Sequence, residues 1–341
     1  MQTVPADILV MVLERLDTRT MARASTACRA FHTVADTVRS LRPILRPHDA
    51  AEQLAWMLDP TRRDRVTTVH AVRLGHGTPW ALLSGLPKLR SLSVCLSRVP
   101  HTIFRTLGDT ILNLDIHRLD PGINDVFSTR QLARFPALRR AHITFAPGWA
   151  LAVVGPGADA LPHLHTLQLR RIPAIAVTAS MPSLRHVSLH ALDVMAGRVP
   201  VAPHAASLTL QCDETPLDDL PDLVHATVRD LTVLARASPE TPVVEALLPS
   251  LTRLASLHLG YDVLQVPDLR PLTRLTRLQL DAGAGMVFDT HSAVPPSLVF
   301  MHATSQRRPI DIRAYLDVAA ATRTPRQGTP PHSSAVTPSI L

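Results

Sequence analysis

The side chains that could do chemistry in this sequence are histidines, arginines and scattered carboxylates, and their spacing decides which chemistry is open to them. There are 17 histidines. His163 and His165 alternate, and His186 and His190 flank a strand-like pattern. No carboxylate or cysteine stands beside them at ligand spacing and no H-E-x-x-H occurs, so solvated surface histidines are the expectation. G-x-S-x-G, a phosphate-binding P-loop and a dinucleotide fingerprint are also missing; Gly155-Pro156-Gly157 and Gly283-Ala284-Gly285 read as isolated loop glycines. The sequence therefore assigns no catalytic residue, no metal and no cofactor. The chemistry left to it is binding.

Charge narrows the partners. The net charge is +7, but Lys88 is the one lysine and the arginines are dispersed, with short clusters such as Arg62-Arg63-Asp64-Arg65 and Arg307-Arg308. Phosphate tracking along a nucleic acid needs clustered positive charge, so nucleic acid is not an expected partner. With 46% hydrophobic residues the chain has ample material for a core. No stretch approaches the roughly 18 apolar residues of a membrane span, and no basic segment with an apolar run opens the chain. Cys28, Cys95 and Cys212 lie far apart, which fits a reducing compartment. The expectation is a soluble protein of the cytoplasm, with the nucleus as a second location and a host cell if a virus encodes it.

From residue 66 one phrase recurs, L-x-x-L-x-x-L-x-L. Its clearest copies run over 86–94, 161–169, 181–189, 251–259 and 272–280. Weaker copies centre on Val72, Leu114, Ala141, Leu208, Leu231 and Met301, and the Leu231 copy has a second register at Ala226 and Val228. The anchors Val72, Leu92, Leu114, Ala141, Leu167, Val187, Leu208, Leu231, Leu257, Leu278 and Met301 stand 20 to 27 residues apart. A period in that range predicts one short parallel strand and a return segment per unit, with leucines buried only against neighbouring units.

The first 45 residues have another texture. Ile8, Leu9, Val12, Leu13 and Leu16 recur at helical spacing, with Pro5 suited to a first turn and Asp7 to the positive end of the helix dipole. Asp17-Thr18 supplies a turn and a new N-cap, and Met21 and Ala24 face inward on a second helix. Phe31, Val34, Ala35, Val38 and Leu41 mark a third, stopped by Arg42-Pro43.

Val4-Pro5-Ala6-Asp7-Ile8-Leu9, then Val12 through Asp17, Met21 through Ser25, and Cys28-Arg29-Ala30-Phe31 resemble an F-box. The family pattern is a Leu-Pro opening, two apolar pairs, a Leu-Asp turn and a Cys-Arg-x-Trp element; Val4, Met21 and Phe31 depart from it while staying apolar. The resemblance implies binding to the Skp-type adaptor of a Skp–cullin–F-box ubiquitin ligase. Val4, Pro5, Ile8, Leu9, Val12, Leu16 and Met21 would be the contacts, as apolar anchors of a helix in a groove. The array behind the head resembles the leucine-rich repeats that often follow an F-box, although the usual Asn or Cys of the turn is missing. A competing reading makes the head a helical cap on the array, in a protein-binding scaffold with no ligase role.

The expected class is α/β: a three-helix F-box at 2–45, a linker at 46–65, and a curved leucine-rich-repeat solenoid of about eleven irregular repeats at 66–308. A capping helix at 309–321 and a disordered Pro/Ser/Thr-rich tail at 322–341 complete it. In that architecture the residue between the leucines of each L-x-L faces outward. Arg73, Asp115, His142, Gln168, His258 and Gln279 are the expected contacts with a protein substrate, on a neutral polar face. Aromatic anchors are missing from that face, so the loop carrying Phe145 and Trp149 is expected to help hold the substrate.

Overall fold

The first half of each L-x-x-L-x-x-L-x-L phrase closes a tight turn and the second half opens a strand. The Leu89 N–H donates to the Leu86 carbonyl at 3.2 Å, Leu164 to Leu161 at 3.2 Å, Leu254 to Leu251 at 3.0 Å and Leu275 to Leu272 at 3.0 Å. Pro87 and Pro162 follow the first leucine; lacking an N–H and with φ fixed, proline suits a turn and is excluded from a helix interior. The computed structural model describes residues 4–13, 15–16, 20, 23–24, 27–35, 41, 43–45, 50–72, 80–95, 99–121, 125–196, 201–212, 220–235, 247–288, 294–305 and 308–309. The chain divides into two units, Met1–Ile172 and Pro173–Leu341.

The first unit opens with helix α1 (Ala6–Leu13), which carries Asp7 in its first turn. Leu13 is fully buried, and α1 packs on α2 (Arg29–Ala35), whose Val34 is also buried. Strand β1 (Ile44–Leu45) follows, then helix α3 (Ala50–Met57), which lies in the segment read as a linker and buries Leu54 and Met57. Next in the sheet come the parallel strands β2 (Thr68–Val72), β3 (Ser91–Cys95), β5 (Asn113–Asp120), β7 (Arg140–Phe145) and the start of β9 (Thr166–Val177). The short β4 (Val99–Pro100) pairs with β5, and β6 (Val126–Ser128) with β8 (Leu151–Val154). Val69, Leu92, Leu114, Ala141 and Leu167 stand side by side in register. Side chains alternate with the period of two that a strand imposes: Leu92, Val94, Leu114 and Ile116 are buried while Ser93 and Asp115 turn outward.

Behind these strands helix α4 (Ile103–Thr106) contributes Phe104 to a cluster with Phe127, Phe135, Phe145 and Trp149, ring centroids 5.3 to 6.5 Å apart. Trp149 Nε1 donates to the Leu119 carbonyl at 2.7 Å. Phe145 and Trp149, expected on a substrate-holding loop, belong to the hydrophobic interior instead.

The second unit repeats the arrangement with β10 (His186–Ala196), β11 (Ser207–Cys212), β12 (Asp230–Ala235), β13 (Ser256–Val266), β14 (Arg277–Phe288) and β15 (Phe300–Ser305), all parallel. Val187, Leu208, Leu231, Leu257, Leu278 and Met301 share one register, so the chain uses Leu231 rather than the alternative at Val228. The short α5 (Leu220–Leu223) precedes β12, and β16 (Arg308–Pro309) pairs antiparallel with β15.

The expected α/β class, a three-helix F-box followed by a curved leucine-rich-repeat solenoid, is therefore corrected. Mostly parallel β-sheet dominates both units, and no described α-helix exceeds eight residues. In the head, Thr20, Arg23, Ala24 and Ala27 are helical as well, between α1 and α2. With 30 prolines and short returns, the connections run as extended chain and as 3-10 turns such as Trp80–Gly85 and Thr129–Arg134. The first strand is also shifted: Val69, not Val72, pairs with Leu92, which sets His70 beside Ser93. Met21, Arg73, residues 310–321 of the expected capping helix and the tail at 322–341 lie outside the described residues.

Candidate functional site

Helix α1 leaves one face uncovered. Its Leu13 points into the head, whereas Ile8, Met11 and Val12 stand at i, i+3 and i+4 and are exposed by 50%, 57% and 42%. Val4, four residues before Ile8, is 54% exposed and Pro5 is exposed too. Leu9 and Leu16 are half-buried. Among the expected contacts the structure thus sets Val4, Pro5, Ile8 and Val12 on the open face and Leu9 and Leu16 at its margin. Met11 was missed by sequence reasoning, although its spacing from Ile8 carries the signal.

In the first unit the outward row runs Ser93, Asp115, His142, Gln168 across adjacent strands. The Ser93 hydroxyl donates to Asp115 Oδ2 at 3.4 Å, and Asp115 Oδ1 lies 3.3 Å from His117 Nε2 on the same strand. Partial burial pushes the His142 pKa below the usual histidine range; Asp115 opposes the shift, and Arg170 and Arg140 reinforce it. His142 is thus neutral at pH 7, free to donate with one ring nitrogen and accept with the other. Gln168 sets its side-chain amide against the Arg170 guanidinium. Three of the expected residues therefore form one continuous polar strip.

In the second unit His258 and Gln279 converge on a residue outside the expected set. Asp281 Oδ2 meets His258 Nε2 at 2.7 Å and accepts from Gln279 Nε2 at 2.9 Å, while its Oδ1 accepts from the Thr304 hydroxyl at 2.6 Å. Burial works against the ionised carboxyl, but the bonds from Thr304, His258 and Gln279 outweigh it and hold Asp281 below its ordinary carboxylate range. Beside this carboxylate opens a cavity of about 460 Å³ bounded by Asp281, Gly260, Gly283, Tyr261 and Thr304. A Cβ on Gly260 would stand 2.7 Å from Leu234 Cδ2, and one on Gly283 would stand 2.7 Å from Asp262 Oδ1, so side chains there would intrude on their neighbours. Among the described residues the Tyr261 hydroxyl is buried without a hydrogen-bond partner, and burial pushes its pKa up. The sequence signal for Asp281 was its place two residues after Gln279, on the same face of one strand.

A family model described as F-box-like matches residues 1–41, the segment that carries α1 and α2. F-box-like domains are interaction modules rather than enzymes. Comparison with curated proteins finds no match.

Proposed function

We propose that this chain is the substrate-recognition subunit of a Skp–cullin–F-box ubiquitin ligase, acting in the cytoplasm. Its head binds the Skp-type adaptor and the outward faces of its sheets bind a protein substrate. The observation that carries this reading is the coincidence of the F-box-like match with an uncovered apolar face on α1. Ile8, Met11 and Val12 each leave roughly half of their surface in water, and burying that remainder in a groove yields on the order of 1 kcal/mol each. Chemistry then belongs to the other subunits, and this chain works by raising the local concentration of its ligand. Lys88, its one lysine, sits exposed in a turn, so the chain offers few amines for its own modification.

The test is co-purification of the full chain with a purified Skp-type adaptor, beside an Ile8→Asp, Leu9→Asp double variant. Capture by the wild type and loss by the folded variant is the expected outcome. Failure of both to bind leaves the head as a cap on a protein-binding scaffold.

A further inference from the structure

The row of residues that carries Asp281 sinks where the chain has no side chain. Gln211, Leu234, Gly260, Asp281 and Thr304 stand side by side in register across β11 to β15. Gly260 sits in the middle of them, and Leu234 leans in so closely that a Cβ on Gly260 would stand 2.7 Å from Leu234 Cδ2. The depression belongs to the cavity of about 460 Å³, a volume within the range of ligand pockets. Asp262, two residues after Gly260, also lines it, and its Oδ1 lies 2.7 Å from where a Cβ on Gly283 would stand. Two glycines thus keep side chains out of a cavity that two carboxylates line.

The lining is negative and apolar at once. Among the described residues no arginine, lysine or histidine lines this cavity. Asp262 is exposed and makes no side-chain hydrogen bond and no ion pair among the described residues. Asp281 has His258 and Gln279 on Oδ2 and Thr304 on Oδ1. A carboxylate offers about four lone-pair sites, so Oδ1 keeps one for a further donor. Ala235 and Ala282 are buried and, with Leu234, give the cavity an apolar wall. Tyr261 lines it too; it is 4% exposed, and its hydroxyl has no hydrogen-bond partner among the described residues. An unmet hydrogen bond in a cavity wall is one that the polar atoms of a ligand can complete. Two like charges at one opening repel each other, a cost that a bound cation removes.

We infer that this cavity takes an organic cation, the guanidinium or ammonium of an arginine or lysine side chain carried by a protein ligand. The apolar stem of such a side chain suits the wall of Leu234, Ala235 and Ala282, while its charged head meets Asp262 and Asp281. A bare divalent ion fits less well: calcium takes about six to eight oxygen ligands, and the bonds already on Asp281 leave it few to give. An anion is repelled by both carboxylates. The assignment to a protein ligand rather than a free amine rests on the receptor reading above; the charge and shape of the cavity do not.

The full chain is titrated by fluorescence anisotropy with labelled peptide pools that hold arginine, lysine, citrulline or glutamate at a fixed central position. All other positions are drawn from uncharged residues. Spermidine and calcium chloride are titrated separately by calorimetry. The arginine and lysine pools are expected to bind at least about tenfold tighter than the citrulline and glutamate pools, because citrulline keeps the shape of arginine without its charge. Asp262→Asn should weaken the cationic pools by about tenfold, and Asp262→Lys, which brings its own ammonium to the opening, should abolish their preference. Equal binding of the arginine and citrulline pools, or wild-type binding by either variant, overturns the site. Binding of spermidine or calcium with no preference for the cationic pools overturns the assignment to a protein side chain. Because Asp262 is exposed, unchanged thermal unfolding of the variants is the folding control, with Asp281→Asn as a replacement if one fails it. Adaptor capture is measured on the same samples. A chain that prefers the cationic pools but captures no adaptor overturns the receptor reading and leaves the site standing; the opposite pattern overturns the site alone.

Discussion

Asp281 reaches across one strand spacing to His258, with 2.7 Å between Oδ2 and Nε2, and His258 and Gln279 are held through this one carboxylate. Three side-chain partners fix Asp281 in its ionised form, and its folded pKa lies below the unfolded value of about 3.9. The stability this contributes is therefore fully present above pH 4 and lost as pH falls through the folded pKa. Asp281→Ala is expected to cost about 1 kcal/mol at pH 7, discounted for partial exposure. The gap between wild type and variant in urea melts should narrow as pH falls below 4 toward the folded pKa; a gap that does not change with pH would show that the loss is packing and not charge.

Neighbouring residues of α1 should behave in opposite ways. Leu13 is fully buried, so Leu13→Ala is expected to cost about 2–5 kcal/mol and to melt the head. Met11→Asp changes a side chain that is 57% exposed and should leave stability within about 0.5 kcal/mol while weakening adaptor capture. Circular dichroism and co-purification on the two variants separate fold from contact. Loss of fold in Met11→Asp would mean that this face is covered by the chain itself.

Trp149 is 3% exposed and its indole N–H satisfies the Leu119 carbonyl beside the aromatic cluster. Trp149→Phe keeps a ring but removes one of two donors to that buried carbonyl, which still accepts from the Ala146 N–H at 2.9 Å, so a loss of about 0.5–1.5 kcal/mol is expected. Tryptophan and far-ultraviolet signals followed in guanidinium report it. A neutral outcome would mean that the Ala146 N–H alone satisfies Leu119.

Much of the strand register was legible because burial on one face leaves a period of two that tolerates little slippage. Leu92, Leu114, Leu167, Leu208, Leu257 and Leu278 carry that signal plainly, and they align as their spacing predicts. The first strand misled because Val66, Val69 and Val72 repeat at equal intervals and offer two equivalent readings. The expected α/β class failed because the returns, with prolines such as Pro87 and Pro162, close as turns and extended chain and add no layer of helix to the sheet. Phe145 and Trp149 looked like loop residues because their partners Phe104 and Phe127 are distant in sequence. The meeting of His258, Gln279 and Thr304 on Asp281 was hidden for the same reason: a site built across strands has no local motif. Strained backbone was invisible too. Arg118 and Arg171 adopt left-handed φ of 62° and 61°, a conformation that usually favours glycine, and nothing in their identity announces it.

Strands β12, β13 and β14 arise from three consecutive copies of the phrase, in chain order. The leucines of every neighbouring pair of strands meet in the same register. Unequal recombination that duplicates or deletes one copy would therefore leave the hydrophobic interior in step, so the number of strands can change without passing through an unfolded ancestor.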